Sequence, residues 1–187
     1  MKLAVIFPGI GYTCKRPLLY YSASMAEELG YEVLRLDYGE DIHSFRGRDA
    51  SDLKKIAASA LRRSMTVLRK KDLSGYEDIV MISKSIGTLI AVKAADRLRI
   101  QARHFMITPI PDTIPWIRKT DCVFLSGTGD PYIPKETVLK AAAENPQKAM
   151  KIFKECNHSL ERPGDTAGNL KNLKKTVKLL KKYLKSE

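Results

Sequence analysis

Short apolar runs alternate with longer amphipathic stretches along the 187 residues, and this alternation constrains the fold most strongly. The short runs are rich in Val, Ile, Leu and Phe with little polar alternation, as in strands buried on both faces. The predicted strands are Lys2–Phe7, Glu32–Asp37, Asp78–Ser83, His104–Thr108, Cys122–Ser126 and Lys148–Phe153. The predicted helices are 17–29, 50–70, 86–99, 134–143 and 166–184. The pattern predicts an α/β three-layer sandwich with about six parallel strands flanked by helices.

Composition and cysteine usage exclude several classes of protein. With 44% hydrophobic and 29% charged residues, the chain is expected to form one globular domain over residues 1–187. No stretch approaches the roughly 20 apolar residues of a membrane-spanning helix, and Leu3–Phe7 is too short for a signal peptide. The three cysteines, Cys14, Cys122 and Cys156, indicate neither a disulfide framework nor a metal site. We therefore expect a cytoplasmic protein.

Much of the net charge of +12 lies in the C-terminal segment NLKNLKKTVKLLKKYLKSE. Leu170, Leu173, Val177, Leu180 and Leu184 recur there at helical spacing, and lysines take most of the remaining positions. We interpret the segment as a helix that docks through its leucine stripe and leaves a solvated lysine face. The alternative is a surface for an anionic partner. Basic charge alone does not identify a partner, so nucleic-acid binding is not predicted.

The segment VMISKSIGTLIA, residues 80–91, places a polar turn between two apolar runs. Ser85 has Ser83 and Gly87 two residues away on either side, an S-x-S-x-G pattern whose small residues permit a tight strand-to-helix turn. Such a turn lifts the serine hydroxyl above the sheet edge. It also places the N–H of Ile86 at the start of a helix, where it can stabilise an oxyanion. Ser85 is therefore a candidate nucleophile.

A serine nucleophile needs a base and an acid that orients the base. Ligands of parallel sheets bind beyond the carboxyl ends of the strands, where Asp130 follows the fifth predicted strand and His158 the sixth. The other histidines are placed differently, since His43 falls in a polar loop and His104 begins a strand. We therefore predict that Asp130 and His158 complete the site. The PGIG turn after the first strand offers a second oxyanion donor, the N–H of Ile10.

The order Ser–Asp–His, with each residue directly after its own strand, resembles the α/β-hydrolase fold family. It is similar to the small single-domain members, such as dienelactone hydrolases and carboxylesterases, in the segments FPGIG, SKSIG, GTGDPYIP and NHSL. The resemblance covers nearly the whole chain. It implies that Ser85 is the nucleophile, His158 the general base and Asp130 the orienting acid. It further implies an oxyanion hole from the N–H groups of Ile10 and Ile86, cleavage of a small ester or thioester, and no cofactor.

The chain departs from the family pattern at three points. Ser83 takes the first small position of the turn, and Pro8 stands where relatives often carry histidine. The first predicted strand already precedes the oxyanion turn, so the family's two leading strands are expected to be missing. No long insertion separates residues 108–121, so we expect no lid domain and an open site for a small-molecule acyl substrate. Tyr12 and Trp116, in predicted loops at the active-site edge, are candidate pocket residues.

Other interpretations of these residues remain open. Asp130 could simply shape the Gly-Asp-Pro turn. Cys156 lies near His158 but lacks the tight turn of a nucleophile. Lys84 suggests lysine-assisted serine chemistry, but adjacent residues leaving a strand point in opposite directions. The alternative function is a non-catalytic binding or scaffold protein on the same fold, which would use the basic C-terminal helix to bind an anionic partner. The oligomeric state is not predicted.

Overall fold

The computed structural model describes residues 1–39 and 50–186, and its central feature is a parallel sheet of six strands. The strands are β1 Lys2–Phe7, β2 Tyr31–Arg35, β3 Asp78–Lys84, β4 Arg103–Ile107, β5 Asp121–Gly127 and β6 Ala149–Phe153. Their order in the sheet is β2-β1-β3-β4-β5-β6, and every neighbouring pair is parallel. The predicted parallel sheet is confirmed, with strand ends within about two residues of those expected from the sequence.

Within the part of the chain that the structure describes, six helices accompany the sheet. They are α1 Pro17–Glu28, α2 Ala50–Leu68, α3 Ile86–Leu98, α4 Ile114–Ile117, α5 Lys135–Glu144 and α6 Thr166–Lys185. The short helix α4, preceded by a 3₁₀ turn at Pro111–Thr113, was not predicted and lies in a proline-rich segment that we expected to be a loop. Pro115 is tolerated there because it occupies the first turn of α4, where a missing N–H removes no helical hydrogen bond.

The helices cover both faces of the sheet, as predicted for a three-layer sandwich. Alternate residues of β1 point to opposite faces, so Ala4 and Ile6 pack against α1 and α6. Leu3 and Val5 pack on the other face, against α2 and α3. All four side chains are fully buried, which explains the uninterrupted apolar runs of the central strands.

Helix α6 docks through its C-terminal two-thirds. Thr176, Leu180 and Leu184 are buried against the sheet, whereas Leu170 in the second turn is 62% exposed. The prediction that Leu170 belongs to the docked leucine stripe was therefore wrong. Arg103 of β4 fastens the end of the helix by donating hydrogen bonds to the carbonyl groups of residues 183 and 186.

The strand order reverses at β1. The chain passes from β1 to β2 on one side and then crosses to β3 on the other side. In open parallel sheets, the crevice beyond the carboxyl ends at such a reversal is where ligands bind. The PGIG turn and Ser85 follow β1 and β3 at this crevice. None of the helices within residues 1–39 and 50–186 combines the length and apolar composition that crossing a membrane requires.

The unequal burial of the leucines of α6 gives a direct test of how this helix docks. Leu180→Ala removes a fully buried side chain and is expected to lower the free energy of unfolding by about 2–5 kcal/mol. Leu170→Ala is the matched control, and its effect should stay within about 0.5 kcal/mol because the side chain is exposed. Urea denaturation followed by circular dichroism measures both. Equal losses would contradict this docking.

Candidate active site

Ser85 occupies a strained backbone position between β3 and α3. Its φ of 57° and ψ of −126° are unusual for a residue with a side chain. Hydrogen bonds hold this conformation on both sides, since the Ser85 N–H donates to the Ile107 carbonyl at 3.0 Å. The Ser85 carbonyl in turn accepts from the Thr88 N–H at 2.9 Å. The tight turn expected from the small neighbouring residues is present, and Ser85 lines a cavity at the sheet edge.

Two glycines allow the PGIG turn to lie directly against this serine. A Cβ atom at Gly87 would collide with the carbonyl oxygens of Phe7 and Pro8, so the first turn of α3 packs on the end of β1. A Cβ atom at Gly9 would lie 3.1 Å from the Cβ of Ser85. The absence of both side chains brings the backbone after β1 into contact with the turn after β3.

The structure brings together the three side chains that the sequence singled out. His158 Nε2 lies 2.8 Å from Ser85 Oγ, and His158 Nδ1 lies 2.6 Å from Asp130 Oδ2. A carboxylate only accepts hydrogen bonds, so Nδ1 carries the proton and Nε2 accepts from the serine hydroxyl. The other Asp130 oxygen accepts the Tyr132 N–H at 2.9 Å. A hydroxyl in such a chain can pass its proton to the imidazole as it attacks.

The loops that carry Asp130 and His158 are fastened to each other. The Gly129 N–H donates to the Cys156 carbonyl at 3.0 Å, and the Glu155 N–H donates to Thr128 Oγ1 at 2.7 Å. A Cβ atom at Gly127 would collide with the Cys156 carbonyl oxygen, so only glycine permits this approach. These contacts fix the separation of the carboxylate and the imidazole.

Two backbone donors beside Ser85 are unpaired. Within the described part of the chain, the N–H groups of Ile10 and Ile86 have no hydrogen-bond partner. Ile86 is the first residue of α3, where helical N–H groups have no partner within the helix. Ile10 follows Gly9, whose N–H and carbonyl both pair with the backbone of Tyr12. Two free donors next to a serine hydroxyl are what an oxyanion requires.

Burial governs the ionisation of the site. It is the main cause that lowers the pKa of His158, the hydrogen bond to Asp130 opposes this effect, and the Lys84 ammonium adds to it. His158 is therefore a neutral imidazole near pH 7, the form that can accept a proton. Burial also lowers the pKa of Lys84 to about 7 and raises the pKa of Tyr12 to about 12.

A cavity of about 600 Å³ opens at Ser85. Its walls are mostly apolar and include side chains of the PGIG turn, α2, α3 and the segment after β4: Ile10, Leu53, Ala57, Ile86, Leu89 and Ile110. Tyr12 lines this cavity, in keeping with the sequence-based expectation. Trp116 does not line it, so that expectation was wrong. Helix α4 instead carries Trp116 to a separate cavity at the amino ends of the strands, beside His104 and Asp121.

Some residues of the site were missed in the sequence. The Tyr132 ring packs edge-on against the His158 ring, with their centroids 4.7 Å apart. The sequence feature that could have indicated Tyr132 is its position two residues after Asp130 in GTGDPYIP. Leu53 and Ala57 had no sequence signal, because the approach of α2 depends on tertiary packing. His43, which the sequence placed in a polar loop, lies outside the described residues.

In the described ranges, no group of three His, Cys, Asp or Glu side chains could hold a metal ion.

Solved structures that share this arrangement of strands and helices include α/β hydrolases. An α/β serine hydrolase homologue from Coxiella burnetii has a TM-score of 0.69, covers 98% of this chain and 85% of that chain, and is 16% identical. An α/β serine hydrolase without a lid from Xanthomonas campestris has a TM-score of 0.61, with 96% and 79% coverage and 15% identity. Est1E from Butyrivibrio proteoclasticus, solved with ferulic acid, has a TM-score of 0.66, with 98% and 88% coverage and 16% identity.

The chain therefore has the α/β-hydrolase fold, as the sequence indicated. No family model matches the chain, and no curated protein matches it by sequence. Between β4 and β5, the described residues form only the 3₁₀ turn and α4, which is consistent with a fold that has no lid domain.

The packing of α3 on β1 predicts that position 87 tolerates no side chain. Gly87→Ala forces the carbonyl groups of residues 7 and 8 to move, and we expect a loss of about 1–3 kcal/mol in the free energy of unfolding. Gly75→Ala is the control, since the nearest atom to its Cβ is the Met1 Cε at 3.9 Å. Chemical denaturation measures both variants. Similar stabilities of the two would contradict the close approach.

Proposed function

We propose that this protein is a serine hydrolase that cleaves a small ester or thioester by acyl transfer. The observation that carries the proposal is the continuous hydrogen-bonded chain from Ser85 Oγ through the His158 ring to Asp130 Oδ2, at 2.8 Å and 2.6 Å. Its location at the reversal of the strand order, in a fold shared with serine hydrolases, supports the same function.

In the proposed mechanism, Ser85 Oγ attacks the carbonyl carbon of the substrate while His158 Nε2 takes the hydroxyl proton. The oxygen of the tetrahedral intermediate accepts hydrogen bonds from the N–H groups of Ile10 and Ile86. The bond to the leaving alcohol or thiol then breaks, and His158 returns the proton to it. Water, deprotonated by the same imidazole, then attacks the acyl-enzyme. The bond between the acyl carbon and Ser85 Oγ breaks, His158 returns the proton to Oγ, and the acid leaves. Asp130 holds the imidazole in the required tautomer throughout.

The cavity supports a small, largely apolar acyl substrate. Its volume of about 600 Å³ is in the range of small-molecule sites, and most of its wall is apolar. The Butyrivibrio neighbour, with ferulic acid bound, provides a precedent on this fold for a ligand of that size. All three cysteines are free thiols, which favours a reducing compartment such as the cytoplasm.

Covalent labelling by a fluorophosphonate probe, followed by intact-mass analysis, tests the proposal. The wild-type protein should gain one adduct, and Ser85→Ala should gain none because it lacks the nucleophilic oxygen. Turnover of a short-chain aryl ester should fall by about 10⁴–10⁶-fold in this variant. Ser159→Ala is the control, since Ser159 lines the same cavity without a hydrogen bond to His158. It should be labelled normally.

Two results would contradict this function. Ester turnover by Ser85→Ala at a tenth of the wild-type rate would place the chemistry elsewhere. Absence of an adduct on well-folded wild-type protein would mean that Ser85 is not activated.

The lysine face of α6 supports a second candidate function, binding to an anionic surface. Seven exposed lysines lie along this helix, and none has an ion pair within the described residues: Lys171, Lys174, Lys175, Lys178, Lys181, Lys182 and Lys185. Binding to anionic vesicles that weakens steeply with salt is expected if the face has this role. No binding at low salt would remove this function.

A further inference from the structure

Lys84 is a buried cation in the wall of the cavity, and the proposed mechanism does not use it. It is the last residue of β3, directly before Ser85, and only 1% of its surface is exposed. It lines the cavity together with Ser85, Tyr12 and His158. The regular alternation of strand side chains ends at Ser85, whose φ is 57°, so these two neighbours can line the same cavity.

The Lys84 ammonium has no partner of opposite charge. Among the described residues, its Nζ makes no ion pair and no hydrogen bond, and it lies 5.0 Å from the centroid of the Tyr12 ring. The carboxylate of Asp130 is engaged elsewhere, since its two oxygens pair with the Tyr132 N–H and with His158 Nδ1. Burying an unpaired ammonium group is unfavourable, so this lysine departs from what stability alone would select.

The ammonium nitrogen is nevertheless open to the cavity. Ser83 Oγ, one residue earlier in β3, is sealed from the surface and lacks a hydrogen-bond partner. Lys84 Nζ also lacks a partner, but it is not sealed in this way. The small surface that remains to Lys84 therefore includes Nζ, and a ligand in the cavity can reach it.

Tyr12 fixes the surroundings of this nitrogen. The Tyr12 hydroxyl accepts the Leu18 N–H at 3.1 Å, and the Tyr12 backbone pairs with that of Gly9. These bonds hold the ring against the ammonium, which is attracted to the face of the ring. The ring carries no negative charge, so the positive charge remains without a counter-ion.

The other charged groups of the wall are placed differently. Lys54 and Asp112 line the cavity but are exposed, and exposed charges contribute little because water screens them. His158 is neutral near pH 7, because burial lowers its pKa. Most of the remaining wall is apolar. The cavity therefore offers a ligand an apolar surface with one buried cation beside the nucleophile.

We propose that Lys84 is the specificity-determining residue of this site and binds a carboxylate group carried by the substrate. The inference rests on the proposed hydrolase function and names its substrate class, an ester or thioester with one carboxylate on an otherwise apolar body. A carboxylate at Nζ accepts a charge-assisted hydrogen bond and supplies the missing negative charge. A neutral group in its place leaves the ammonium unpaired, so the site discriminates against neutral esters.

The first test compares the monophenyl ester of adipic acid with a neutral phenyl ester in which an isopropyl group replaces the carboxylate. At about pH 6.5 the carboxylate is ionised, and the ammonium is charged because the pKa of Lys84 is about 7. We expect wild-type kcat/KM to favour the anionic ester by about 10- to 100-fold, the contribution of a charge-assisted hydrogen bond. Lys84→Met should lose this preference.

A second pair of esters shows which part of the substrate carries the carboxylate. The acetate esters of para-hydroxybenzoic acid and para-isopropylphenol differ in the leaving group alone. Preference for the adipate ester assigns the carboxylate to the acyl part, and preference for the hydroxybenzoate ester assigns it to the leaving part. A wild-type protein that prefers neither anionic ester would overturn the proposal.

Lys54→Met is the matched control, since it removes an exposed cation from the same cavity. It should keep the preference for the anionic ester. Loss of the preference in Lys54→Met but not in Lys84→Met would place the carboxylate at the rim and overturn the proposal. An equal loss of activity on anionic and neutral esters in Lys84→Met would indicate a structural role and would also overturn it.

A binding measurement does not depend on turnover. Isothermal titration calorimetry with Ser85→Ala reports the affinity for the intact monophenyl ester of adipic acid. We expect this affinity to fall about 10- to 100-fold when Lys84→Met is added. An affinity that Lys84→Met leaves unchanged, or no binding to Ser85→Ala, would overturn the proposal. Should Lys84→Met fail to fold, Lys84→Gln removes the same charge.

The two measurements separate this inference from the hydrolase function. If the wild type neither turns over esters nor reacts with the fluorophosphonate while Ser85→Ala binds the carboxylate through Lys84, the hydrolase function fails and the carboxylate site stands. If the fluorophosphonate labels Ser85 and neutral esters are cleaved as well as anionic ones, the hydrolase function stands and the carboxylate site fails.

Discussion

The contact between the first turn of α3 and the end of β1 is the constraint on which the rest of the site depends. Because Gly87 has no side chain, the helix rests directly on the carbonyl groups of Phe7 and Pro8. That contact fixes where α3 can begin and so holds Ser85 in its strained conformation. It also keeps the PGIG turn beside the serine, so that Ile10 and Ile86 line the same cavity.

The other half of the site follows from parallel pairing. Strands β5 and β6 are adjacent and aligned, so the residues after them emerge at the same edge as Ser85. The backbone then refines the geometry, since the Gly129 N–H donates to the Cys156 carbonyl and so ties the loop of Asp130 to the loop of His158. Neither loop alone sets the distance between Asp130 and His158. Their mutual contact does, and it requires glycine at position 127.

The sequence revealed those parts of the fold that depend on local pattern. The strands were predictable because both faces are buried and the apolar runs are unbroken. Ser85, Asp130 and His158 were singled out because each follows a strand, and the structure brings their side chains within hydrogen-bonding distance. Features that depend on tertiary packing were not predictable. The prediction for Trp116 was wrong because α4 turns the chain back toward the amino ends of the strands. The prediction for Leu170 was wrong because α6 packs against the sheet only from Thr176 onward.

Lys84 shows how strand alternation can combine stability and chemistry in adjacent residues. Lys84 and Ser85 both line the cavity, although only 1% of the Lys84 surface is exposed. An apolar residue there would satisfy the core, as Ile82 does one pleat earlier. A lysine satisfies it less well, because folding must strip water from its ammonium group. Burial accordingly lowers the pKa of Lys84 to about 7, so the cost of placing this cation beside Ser85 is expressed in its own ionisation.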